Sequence, residues 1–109
     1  RWGLPTAACR GWARRLSIPG VLASGGIRTG LDVAMSLMLG ASLAGMALPL
    51  IRALERGGEQ ELESTLEQTV RELRLAAHLC GCTSTSELSS VPHRIAEPLA
   101  GLIEWNGNA

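Results

Sequence analysis

An apolar run that breaks at two glycines and restarts as a helix constrains this chain more than any other feature: Val21-Leu22-Ala23-Ser24-Gly25-Gly26-Ile27-Arg28-Thr29-Gly30-Leu31-Asp32. A strand that feeds a glycine turn and then a helix is a way to hold an anion. Gly25 and Gly26 let the backbone approach a phosphate with no Cβ in the way. The helix start adds unpaired N–H groups and the positive end of its dipole. Arg28 contributes a permanently charged fork. An arginine at a helix start is often only a solvated group or an ion-pair partner, but the glycines and the strand before it favour phosphate contact.

The local signals around the turn set the order of elements. Thr29 and Asp32 have the spacing of a capping box, which starts a helix near Gly30. Leu31, Ala34, Met35, Leu37, Met38 and Leu39 recur at helical steps, and Gly40 is placed to end the helix in a left-handed conformation. Leu43-Ala44-Gly45-Met46-Ala47 then reads as a parallel strand covered on both faces, and Pro49 suits the first turn of a helix through Arg56. The predicted order is strand, helix, strand, helix.

The second half reads as helical and structural. After a break at Gly57-Gly58, the acids Glu59, Glu61 and Glu63 favour a helix start. Leu62, Leu66, Val70, Leu73, Ala76, Ala77 and Cys80 form a stripe to be buried on the parent domain or on a second subunit, and Glu67 precedes Arg71 at ion-pair spacing. Gly81 reads as a helix terminator. A last helix is expected from Glu97 to Trp105, with Trp105 as a packing anchor.

Several function classes find little support. His78, Cys80 and Cys82 step by two and do not share a helix face, so no metal site is assigned. His93, beside Pro92, reads as a surface residue and Cys9 as a buried thiol on the opening helix. The three cysteines fit a reducing, cytoplasmic setting. The chain has ten arginines, no lysine and ten acids, a formal net charge of zero, so it presents no basic field for nucleic acid. Leu31 to Ile51 is largely apolar, but Asp32, the interior glycines and Pro49 break it, which argues against a membrane span.

The segments Trp2-Gly3-Leu4-Pro5-Thr6-Ala7, Ala23 through Ala34, Leu39-Gly40-Ala41, Gly45-Met46-Ala47-Leu48-Pro49, Glu72-Leu73-Arg74-Leu75-Ala76, Leu79-Cys80-Gly81 and Ser86-Glu87-Leu88 together resemble the C-terminal part of the type 2, FMN-dependent isopentenyl-diphosphate isomerases. The resemblance implies an α/β fold: the C-terminal part of a (β/α)8 TIM barrel, about strands seven and eight with their helices, plus a helical C-terminal tail. Residues 1–56 would be the partial barrel and 57–109 a helical extension of the same domain. FMN would lie at the C-terminal mouth of the strands, with Gly25, Gly26, Ile27 and Arg28 as one wall of its phosphate site and Ala47 with Leu48 as the other.

The family's chemistry interconverts isopentenyl and dimethylallyl diphosphate in isoprenoid biosynthesis, with reduced FMN, Mg2+ and an NADPH donor, in oligomeric enzymes. The family's catalytic lysine, glutamine and glutamate motifs have no counterpart here, so cofactor-binding residues are expected and catalytic ones are not. A barrel of this kind needs roughly 200 or more residues and the chain has 109, so it reads as a fragment, inactive alone. Two other readings stand beside this one. The first is a fragment of a 2-hydroxy acid oxidase or dehydrogenase, whose family needs a histidine and arginine after its sixth strand that Arg1-Trp2-Gly3-Leu4-Pro5 does not show. The second is a noncatalytic helical interaction module.

Overall fold

The computed structural model of the chain describes residues 6–104. Trp105 and the Trp2-Gly3-Leu4-Pro5 entry lie outside the described residues. The elements run α1 (Thr6–Arg15), β1 (Leu22–Ser24), α2 (Gly30–Met38), β2 (Leu43–Gly45), α3 (Leu48–Leu79), a 3₁₀ segment (Thr85–Ser90) and α4 (Leu99–Glu104). The two strands form one parallel sheet in the register Leu22 to Leu43, Ala23 to Ala44 and Ser24 to Gly45. A βαβ unit therefore stands at the centre, as the alternation of apolar runs and glycines predicts.

The ends of α2 follow from the sequence. Thr29 Oγ1 accepts from Asp32 N–H at 3.1 Å, and Asp32 Oδ2 accepts from Thr29 N–H at 3.1 Å, which completes the capping box. At the other end Gly40 adopts φ +94°. Its N–H donates to the Leu37 carbonyl at 2.9 Å, and Ala41 N–H donates to the Ser36 carbonyl at 3.0 Å, the paired bonds of a glycine-ended helix. Arg10 Nη2 and Arg14 Nη1 reach the Leu39 and Met38 carbonyls at 3.4 Å each, so α1 places two cations on the negative end of α2. Arg10 is buried, and burial, with Arg14 nearby as a second cause, lowers its pKa.

The second strand is shorter than Leu43 to Ala47, and it is not covered on both faces. Leu22 and Leu43 are 63% and 64% exposed, because no second layer of the described residues lies on the sheet's open side. α3 begins at Leu48 with Pro49 in its first turn, as predicted, and it bends at Gly57 and Gly58, whose backbone angles are non-helical. The predicted break therefore separates two helices, the inner and outer arms of α3. The outer arm packs against α2. There Ala34, Ala77 and Leu88 form a small core, with Leu37, Met38, Leu73, Ala76, Cys82 and Val91 around it.

That contact keeps Leu73, Ala76 and Ala77 of the predicted stripe on the packing face, with Thr69 and Glu72 beside them, and leaves Leu66, Val70 and Cys80 exposed. α3 closes at Gly81 (φ +76°), the predicted terminator, with Cys82 N–H on the Ala77 carbonyl at 2.9 Å. Cys9 is exposed rather than buried, because α1 turns Ala8, Arg10, Gly11 and Ala13 inward. The last helix is Leu99–Glu104 and is tied to α1 by Trp12 Nε1 donating to the Leu102 carbonyl at 2.8 Å. Among the described residues no helix is long and apolar enough to cross a membrane.

Candidate functional site

The strand register builds the site. Because Ser24 pairs with Gly45, the two strands leave the sheet side by side at the same end, strands in such a pair being about 4.8 Å apart. Beyond Ser24 the backbone turns through Gly25 (φ +95°) and Gly26 (φ +75°). Both values lie in the region that only glycine enters without strain. A Cβ on Gly26 would meet nothing within 4 Å, so this face of the turn is open. Gly25 is held from behind: Thr6 Oγ1 donates to the Ser24 carbonyl at 3.0 Å and to the Gly25 carbonyl.

The distribution of backbone donors decides where an anion fits. Asp32 Oδ2 takes the N–H groups of Arg28 (3.0 Å) and Thr29 (3.1 Å), and Glu72 Oε2 takes that of Gly30 at 2.7 Å. The start of α2 is thus largely satisfied from within. This corrects the expectation that its N–H groups stand free for a ligand: two carboxylates already occupy them. The N–H groups of Gly26 and Ile27 have no acceptor among the described residues, and neither does the exposed Arg28 guanidinium.

Across the sheet, α3 starts without any side-chain cap. The Ala47 carbonyl accepts from Leu50 and Ile51, Pro49 has no N–H, and the Leu48 N–H is unpaired among the described residues. Helix starts of this kind attract anions through their free donors and dipole. Chemically the arrangement offers turn N–H groups, a helix start and an exposed arginine, donors of the kind that suit an oxyanion.

Sequence reasoning missed two residues here. Thr6 opens α1 and anchors the strand end, and Glu72 crosses from α3 to Gly30. A cavity of about 580 Å³ lies behind the turn, between Gly25, Gly26, Met35 and Leu39 on one side and His93 and Arg94 on the other. His93 is exposed, as expected, with Nδ1 at 2.8 Å from the Val91 carbonyl. His78, Cys80 and Cys82 flank the turn that ends α3. Burial, then Glu87 and Cys80, raise the Cys82 thiol pKa.

Two neighbouring parallel strand ends, one leading through a glycine turn and both into helix starts, form a βαβ unit of the kind from which α/β enzymes are built. The profile of the FMN-dependent dehydrogenase family matches residues 12–94, and the chain belongs to that family. It is similar to proteins named isopentenyl-diphosphate delta-isomerase from Methanopyrus kandleri (40% identical), Metallosphaera sedula (43%) and Archaeoglobus fulgidus (39%), in each case over 97% of this chain. The chain spans about 30% of the length of these curated relatives.

Proposed function

We propose that this chain carries strands seven and eight of a (β/α)8 barrel with their helices, and that it holds the phosphate of FMN. Gly25, Gly26, Ile27 and Arg28 form one wall of that site and Ala47 and Leu48 the other. The observation that carries the reading is the parallel register, which sets the glycine turn beside the uncapped start of α3. The residues fit the group: the N–H groups of Gly26, Ile27 and Leu48 are unpaired among the described residues, Arg28 is exposed, and Gly25 and Gly26 carry no Cβ. Residues 1–56 are the barrel part and 57–109 a helical extension of the same domain.

The whole enzyme interconverts isopentenyl and dimethylallyl diphosphate, in line with the names of the relatives. When bound, reduced FMN supplies the chemistry at the double bond. Mg2+ for the diphosphate and NADPH as the reductant of the flavin are implied for the whole enzyme, and none of this chain's residues is assigned to either. This chain's part is binding and orientation, which proteins contribute when a cofactor carries the hard chemistry. The setting is cytoplasmic and the enzyme a homo-oligomer. The family's description, FMN-dependent dehydrogenase, is also in line with a second reading, for which a 2-hydroxy acid is the substrate we infer. Incubating the full-length protein with each substrate separates the two by product.

The phosphate site is tested by Arg28→Ala in the full-length protein. Loss of a charge-assisted contact is worth roughly 1.5–3 kcal/mol, or about 10- to 100-fold in FMN affinity. Flavin retained through gel filtration at the wild-type level would count against the role.

A further inference from the structure

The start of α2 is fixed by a residue from the far arm of α3. Glu72 Oε2 accepts the Gly30 N–H at 2.7 Å, while its Oε1 accepts from Gln68 Nε2 at 3.0 Å, so both carboxylate oxygens are held. Gly30 is buried. A Cβ there would lie 2.5 Å from Glu72 Cβ and 2.6 Å from Leu73 N, and would overlap the Thr69 carbonyl. The two helices therefore meet through glycine, backbone to backbone. Together with Asp32, which takes the N–H groups of Arg28 and Thr29, Glu72 immobilises three successive peptide groups directly after the glycine turn. What stays free is the Gly26 and Ile27 pair.

We propose that Glu72 is a positioning residue for the phosphate turn: by occupying the Gly30 N–H it fixes the orientation of the Gly25–Arg28 backbone and of the Arg28 side chain toward a bound phosphate. The helical tail is then part of the cofactor site rather than only a packing element. A carboxylate at a helix start also compensates the dipole of α2, which leaves Arg28, the turn and the start of α3 to hold the ligand's charge. This rests on the reading that the turn takes the flavin phosphate.

The test compares FMN with riboflavin, which lacks the phosphate, as ligands of the flavin-free full-length protein. A residue that positions the phosphate turn changes the ratio of the two dissociation constants, whereas one that only stabilises the fold moves both together or only Tm. Glu72→Asp, one methylene short, and Glu72→Ala are expected to weaken FMN about tenfold with riboflavin unchanged. Glu72→Gln keeps an acceptor for Gly30 and is expected to restore most of the ratio. The proposal is overturned if Glu72→Asp keeps the wild-type ratio, or if Glu72→Gln is no better than Glu72→Asp. Arg28→Ala separates the two ideas. A ratio unmoved by Arg28→Ala removes the phosphate reading itself, and a ratio moved by Arg28→Ala but not by Glu72→Asp removes the role of Glu72 alone.

Discussion

Gly30 is where the packing of single atoms matters most. In an exposed helix, alanine is favoured over glycine by about 1 kcal/mol. At Gly30 the added methyl would run into the Thr69 carbonyl and Glu72, and overpacking of this kind costs about 1–3 kcal/mol. Gly30→Ala in the full-length protein is therefore expected to lower stability by about 1–2 kcal/mol despite the better helix former. Chemical denaturation checks this, and a variant as stable as wild type would mean that α2 and α3 can separate freely. The same neighbourhood marks the boundary of what the sequence makes legible. Gly25, Gly26, Arg28, Thr29 and Asp32 declare themselves because their roles depend on spacing along a single turn. Glu72 does not, because it acts on a residue 42 positions away. Its one local sign is a charge beside Leu73 and three residues after Thr69, on a face that otherwise packs.

At the scale of elements, caps were readable and faces only in part, Leu73, Ala76 and Ala77 being packed inward as the stripe predicts while Leu66 and Val70 are not. Both ends of α2 and the terminator Gly81 follow from backbone rules that act within a few residues. The buried side of α3 depends instead on where its outer arm lands, and the bend at Gly57 and Gly58 sets that direction. Glu67 and Arg71 illustrate the difference. Their spacing suits an ion pair, yet the ion pair found among the described residues is Arg56 to Glu61 at 3.5 Å, across the bend.

The 3₁₀ segment gives a pH-dependent test of such local capping. Glu87 accepts from Thr83 Oγ1 at 2.8 Å and from Thr83 N–H at 3.1 Å. These two bonds, the hydroxyl's first, hold the Glu87 carboxyl below its ordinary value of 4.5 against a smaller opposing effect of burial. A depressed folded pKa stabilises above the unfolded value and loses that contribution as pH falls through the folded one. In the full-length protein, wild type is therefore expected to exceed Glu87→Gln in denaturation midpoint at neutral pH, with the gap closing as the pH drops below 4.5. A gap independent of pH would show that the charge plays no part.

For the whole molecule the question is what this arrangement of elements can sustain alone. Among the described residues, most of the buried apolar side chains are alanines, and the largest one fully buried is Leu88. Leu22, Leu31, Leu43, Leu48, Ile51 and Leu54 are between 45% and 64% exposed. The radius of gyration is 15.1 Å, against about 13 Å for a compact domain of this length. Three residue pairs of parallel sheet, open at both edges, form a weak nucleus and an invitation to further strand pairing.

These features belong to a structure whose sheet and apolar faces are designed to be covered by further strands and helices, which accords with relatives more than three times as long. They disfavour the independent helical module, since such a module buries its large side chains and shows its small ones. The 109 residues produced alone are expected to melt without a cooperative transition, to bind a hydrophobic dye such as ANS, and to associate at micromolar concentration. Joined to the rest of the chain, the same residues should melt with it as one unit. A sharp, concentration-independent transition of a monomer would reverse the conclusion, because it would require a core that the alanines seen here do not supply.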